Sequence, residues 1–235
     1  MAELSFADFT QSPPIVAMPR SYNAAYDLIA RNLIAGRADK IAFIEDNSQL
    51  TYGELADRVA SFASALRAHG IEPEHRILIC LHDCIDWPVA FLGAIQAGVI
   101  PVPVNTLLTA DDYEYMLQDS HARVAVVSAS LMPRFLPLLQ NVASLATLIV
   151  SGGDKDNSFT MEQFMAAAGA PVGVAPTTRD DICFWLYSSG STGRPKGTVH
   201  VHSSLMFTAN YYACPILGIQ ESDVTGARLC ASTDR

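Results

Sequence analysis

Residues 182–201 read ICFWLYSSGSTGRPKGTVHV. An apolar, aromatic run ends at Tyr187, ten small or polar residues follow, and β-branched residues resume at Thr198. Composition predicts strand, loop, strand. The loop sets Gly190, Gly193 and Gly197 among the hydroxyls of Ser188, Ser189, Ser191 and Thr192, with Arg194 and Lys196 on either side of Pro195. Glycines let a backbone turn sharply and approach a ligand. Successive N–H groups in such a turn form an anion-binding nest. The hydroxyls add donors and the two cations add charge, so the stretch suits a polyphosphate. A flexible connector has no need of a rigid proline between two cations.

The loop is not a Walker A motif. Pro195 stands where that motif has glycine before its lysine, and Gly197 where a magnesium-binding hydroxyl follows. A strand, not a helix, follows it.

Working outward, apolar β-branched runs recur at 41–44, 76–81, 124–127 and 147–150. Helical patterns lie between them. The clearest spans 54–68, where Leu55, Val59, Phe62 and Leu66 fall on one face. Thr51 and Glu54 form a capping box at its start, and Gly70 closes its end. Further helices are predicted at 22–34, 86–96, after Thr109, 161–168 and 203–212. Asp111 and Asp112 read as acids at a helix N-terminus rather than a catalytic pair. Strand and helix in alternation predict an α/β fold with a mostly parallel sheet and packed helices.

Half of the 235 residues are hydrophobic and 17% are charged, enough for a sizeable core. A net charge of -9 disfavours nucleic acid and anionic membrane as partners. The N-terminus, MAELSFADFT, lacks the basic region of a signal peptide. The most apolar stretch, 88–104, is shorter than a membrane span and is broken by Pro101 and Pro103. A cytoplasmic protein is expected. The five cysteines, Cys80, Cys84, Cys183, Cys214 and Cys230, are odd in number and have no framework spacing. Cys80 and Cys84 lack the second pair of a zinc signature and read as buried thiols. His200 and His202, two apart on a predicted strand, are expected to share a face, but two ligands do not make a metal site. Trp87, Trp185 and Tyr187 read as core aromatics.

The loop SSGSTGRPKG resembles the phosphate loop of the adenylate-forming (AMP-binding) superfamily. LTYGEL at 50–55 and FLGAIQAGVIPVPVN at 91–105 resemble two further segments of that family, in its order and spacing. The stretch FWLYSSGSTGRPKGTVHVHSSL is most like bacterial benzoate- and hydroxybenzoate-CoA ligases. The resemblance implies the N-terminal part of the large adenylate-forming domain. It implies a two-step reaction: an aryl carboxylate attacks the α-phosphate of ATP, then the thiol of coenzyme A displaces AMP. Ser188, Ser189, Gly190, Ser191, Thr192 and Gly193 would cradle the β- and γ-phosphates, with Thr192 nearest the terminal one and Lys196 steadying the loop or the phosphates. Mg2+ would accompany ATP. His202 matches a family histidine, which implies a structural or substrate-gating role.

Relatives in this family are well over twice as long. Their segments for adenine, ribose and magnesium, and the lysine of a small C-terminal domain, have no counterpart here. The expected organisation is an extension over 1–20, a partial adenylation domain over 21–224, and a tail outside the family pattern over 225–235. Such a fragment is expected to be inactive alone. A non-catalytic nucleotide-binding remnant or interaction module, or an adenylation domain serving a carrier protein, are the alternatives.

Overall fold

The computed structural model of the chain describes residues 2–153, 159–188 and 194–226. A hairpin of Phe6–Asp8 (β1) and Ile15–Ala17 (β2) precedes helix Ala24–Ile34 (α1). A second hairpin, Ile41–Glu45 (β3) and Ser48–Thr51 (β4), runs into Tyr52–Ala68 (α2). The central unit follows: Arg76–Cys80 (β5), Asp86–Gln96 (α3), Ile100–Pro103 (β6), Ala110–Ser120 (α4), Val124–Ser128 (β7), Met132–Phe135 (α5), Leu138–Asn141 (α6), Thr147–Ser151 (β8), Phe159–Thr160 (β9) and Met161–Ala166 (α7). A third hairpin, Ile182–Ser188 (β10) and Lys196–Val201 (β11), leads to Ser203–Thr208 (α8) and a wider π turn over Ala209–Ala213.

The sheet order is β6-β5-β7-β8-β9, and every neighbouring pair is parallel. Both faces are covered, which explains the unbroken apolar runs. Ile77 and Ile79 of β5, with Val124 and Val126 of β7, face the core built with α1, α2, α3 and α7. Leu78, Cys80, Ala125 and Val127 face the opposite core, with Tyr113, Met116 and Leu117 of α4 and Phe135 of α5.

Helix α2 starts at its capping box: Glu54 N–H reaches Thr51 Oγ1 at 3.2 Å, and Thr51 N–H reaches Glu54 Oε2 at 2.8 Å. At its end Gly70 takes φ +71°. Ile71 N–H bonds Leu66 O and Gly70 N–H bonds Arg67 O, which satisfies two orphan carbonyls of the last turn. α4 repeats the device with Thr109 and Asp112, so Asp112 is an N-terminal helix acid. These Thr109 contacts hold the Asp112 carboxyl below its ordinary range.

Two predicted spans end early: the helix begun at Met161 stops at Ala166, and regular α-helix from Ser203 stops at Thr208. Antiparallel pairing of β10 with β11, and of β3 with β4, lies outside the parallel sheet. β10 runs beside β6 without joining its ladder.

Candidate nucleotide site

The phosphate-loop sequence is carried between two antiparallel strands. Ser188, the last residue of β10, is registered opposite Lys196, the first of β11. Opposed residues of an antiparallel pair project to the same side. Ser188 and Lys196 therefore share a face, and both are exposed. Tyr187, opposite Gly197, belongs to the other face with Trp185. Ser189, Gly190, Ser191, Thr192 and Gly193 lie outside the described residues, so two of the seven sequence-predicted site residues, Ser188 and Lys196, are placed. Among the described residues Lys196 makes no hydrogen bond or ion pair.

The opposite face rests on α4. Tyr187 hydroxyl donates to Asp119 Oδ2 at 2.6 Å, and burial together with that carboxylate pushes its pKa up. Tyr115 hydroxyl donates to the carbonyl of Pro195 at 3.1 Å. The Arg194 guanidinium sits 5.1 Å from the centre of the Tyr115 ring. Arg76 donates to Ser120 O at the end of α4 and lies 5.9 Å over the Trp185 ring. Tyr115, Asp119 and Arg76 were not singled out from the sequence. An aromatic and an acid four apart on a helix give no more than a surface signal.

A separate cleft of about 440 Å³ opens where β5, β7 and β8 end, lined by His82, Cys84, Asp86, Ser128, Ser130 and Ser151 among others. In a doubly wound sheet the reversal of strand order, here between β5 and β7, is the usual ligand crevice. Several of its polar groups satisfy one another. Asp86 pairs with Arg58 at 2.5 Å and accepts from Ser151 at 2.6 Å. Glu45 accepts the Ile85 N–H at the start of α3, at 3.1 Å, and so occupies a donor that a phosphate would need. Arg58 of this crevice is paired with Asp86, whereas Lys196 of the loop hairpin has no partner among the described residues.

The two histidines do not share a strand face. His200 is on β11 and stacks on Phe184, rings 4.6 Å apart. His202 has already turned into helical backbone and is buried. Its Nδ1 accepts the Ala24 N–H at 3.1 Å, tying the end of the hairpin to the start of α1. Burial lowers its pKa to about 4, against a small opposing effect of Asp181. Cys80 is buried, and burial raises its thiol to about 11. Cys84 is half-buried and also raised. Cys230 lies outside the described residues.

A family model described as AMP-binding enzyme matches residues 31–230. The chain belongs to that family. Among AMP-binding relatives, benzoate–CoA ligase of Thauera aromatica is 54% identical over 225 residues, 95% of this chain and 42% of that protein. The 4-hydroxybenzoate–CoA/benzoate–CoA ligase of Rhodopseudomonas palustris is 43% identical over 208 residues, 87% of this chain and 38% of that one. The crystal structure of a benzoate CoA ligase from Burkholderia xenovorans superposes with TM-score 0.75 at 46% identity, covering 84% of this chain and 38% of its own. That of an anthranilate CoA ligase in complex with anthranoyl-AMP superposes with TM-score 0.82 at 30% identity, covering 88% and 40%. The chain thus spans about two fifths of the length of these relatives. No helix among the described residues is long and apolar enough to cross a membrane.

Proposed function

We propose that this chain forms the phosphate-loop part of an aryl–CoA ligase that activates benzoate or a hydroxybenzoate with ATP and transfers the acyl group to coenzyme A. One observation carries the proposal: the loop stands in a chain 54% identical to a benzoate–CoA ligase, with Ser188 and Lys196 together at its mouth. In the first step a carboxylate oxygen of the acid bonds to the α-phosphorus. The bond from that phosphorus to the bridging oxygen breaks, and pyrophosphate leaves with the electron pair. The thiolate of coenzyme A then attacks the acyl carbonyl and AMP leaves. Ser188, Ser189, Gly190, Ser191, Thr192 and Gly193 are assigned to the β- and γ-phosphates, with Thr192 on the terminal one. Lys196 offsets charge that grows on the departing pyrophosphate, which a placed cation stabilises more in the transition state than before it.

Among the described residues no group of three or more His, Cys, Asp or Glu side chains could hold a metal ion. Mg2+ brought in with ATP would be held mainly by phosphate oxygens and water.

The test is a chimera that joins this chain to the remaining length of the Thauera benzoate–CoA ligase, assayed for acid-dependent ATP–pyrophosphate exchange. Benzoate and hydroxybenzoates should support exchange and acetate should not. Lys196→Ala should slow it about a hundredfold, roughly 3 kcal/mol. The 235-residue polypeptide alone is the control and should give no exchange. A soluble, ATP-binding chimera without aryl-acid-dependent exchange overturns the assignment.

A further inference from the structure

Helix α4 grips the chain on both sides of the loop. Before it, Tyr187 bonds Asp119 at 2.6 Å. After it, Pro195 accepts from Tyr115 at 3.1 Å, and Arg194 packs over the Tyr115 ring at 5.1 Å. Tyr115 and Asp119 are one helical turn apart, so a single rigid element spans the two loop ends. Strand alternation separates this grip from the ligand side. Trp185 and Tyr187 face away from Ser188 and Lys196.

The two loop cations are consequently in different positions. Arg194 is exposed but lies against the Tyr115 ring, where the cation is attracted to the aromatic face. Lys196 is exposed, beside Ser188.

We propose, resting on the phosphate-loop assignment above, that α4 is the positioning element of the nucleotide site. Tyr115 and Asp119 set the spacing of the two loop ends, Tyr115 holds Arg194 off the phosphates, and Lys196 alone is the phosphate-facing cation. Tyr115 and Asp119 are positioning residues that act through the hairpin and touch no substrate. Each contact is a modest one, so each should change the population of correctly held hairpin by a factor of about five to ten.

Four variants of the 235-residue chain test this: Tyr115→Leu, Tyr115→Phe, Asp119→Ala and Arg194→Gln. Three quantities are measured: the thermal midpoint, the rate of tryptic cleavage at Lys196–Gly197 without nucleotide, and the affinity for MgATP by calorimetry. With midpoints close to the parent's, Tyr115→Leu and Asp119→Ala should each speed cleavage and weaken ATP binding about fivefold to tenfold. Tyr115→Phe keeps the ring and should fall between. Arg194→Gln should weaken ATP binding by about the same factor as Tyr115→Leu and add nothing to it in the double variant.

Unchanged cleavage and affinity in Tyr115→Leu and Asp119→Ala overturn the positioning role. Additive effects of Arg194→Gln and Tyr115→Leu overturn the division between the cations. If the 235-residue parent binds no ATP, the affinities are measured in the chimera described above, where absence of ATP binding overturns the phosphate-loop assignment, while the nucleotide-free cleavage rates still decide the grip of α4. Should Tyr115→Leu fail to fold, Tyr187→Phe, which removes the hydroxyl that donates to Asp119, and Asp119→Ala, which removes the acceptor, decide by the same rates.

Discussion

At the scale of single residues, His200 and His202 take opposite roles two positions apart. A strand spacing predicts a shared face, but helical backbone begins between them, and His202 becomes a buried acceptor for Ala24 N–H. A proton on Nδ1 would abolish that bond. Its pKa is about 4 in the fold against an ordinary 6.5. The unfolded chain therefore binds a proton near pH 6.5 that the folded chain refuses until about pH 4. Stability from this group is intact above pH 6.5 and falls across that interval by roughly 3 kcal/mol. His202→Gln, which keeps an acceptor and cannot titrate, should flatten the decline of the thermal midpoint between pH 6.5 and 4. Equal slopes in parent and variant would exclude His202 as its cause. That Ser188 and Lys196 flank a loop between two strands was legible, because residue type and spacing carry it. The role of Tyr115 was not, because its partner Pro195 is 80 residues away.

Elements were legible where the signal is local. The cap at Thr51, the turn at Gly70 and the acids that open the helix after Thr109 involve neighbours within one helical turn, so composition reveals them. How closely two helices approach is not local. Gly93 of α3 sits against α2: a Cβ there would lie 2.8 Å from Phe62 Cδ1 and 3.1 Å from Val59 O. Alanine would gain ~1 kcal/mol in helix propensity. Overpacking against a backbone oxygen and a fully buried ring costs ~1–3 kcal/mol. Packing outweighs propensity over most of that range, and Gly93→Ala should lower unfolding free energy by up to ~2 kcal/mol in urea melts. A more stable variant would show that α2 and α3 can separate without penalty. Mid-helix glycine looks like a weakness in the sequence, and only the neighbour explains it.

For the whole molecule, the third hairpin leaves apolar surface on view. β11 pairs with β10 alone among the described residues, and Ile182, Leu186 and Val199 are 43%, 41% and 47% exposed. An unpaired strand edge with apolar neighbours is a template for association. The 235-residue polypeptide should self-associate as concentration rises, and Val199→Lys should reduce this in light scattering; equal scattering by both would place the sticky surface elsewhere. The amino-acid sequence by itself determined the alternation of strand and helix, the cap at Thr51 and the strand–loop–strand order around the glycine-rich loop, because periodicity, turn residues and residue type act over a few positions. Only the tertiary structure decided the strand order β6-β5-β7-β8-β9, the exclusion of β10 and β11 from that sheet, and the clamping of the hairpin by α4. Those depend on which apolar faces and hydrogen-bond partners meet across tens of residues, and burial rewards such meetings without marking them locally.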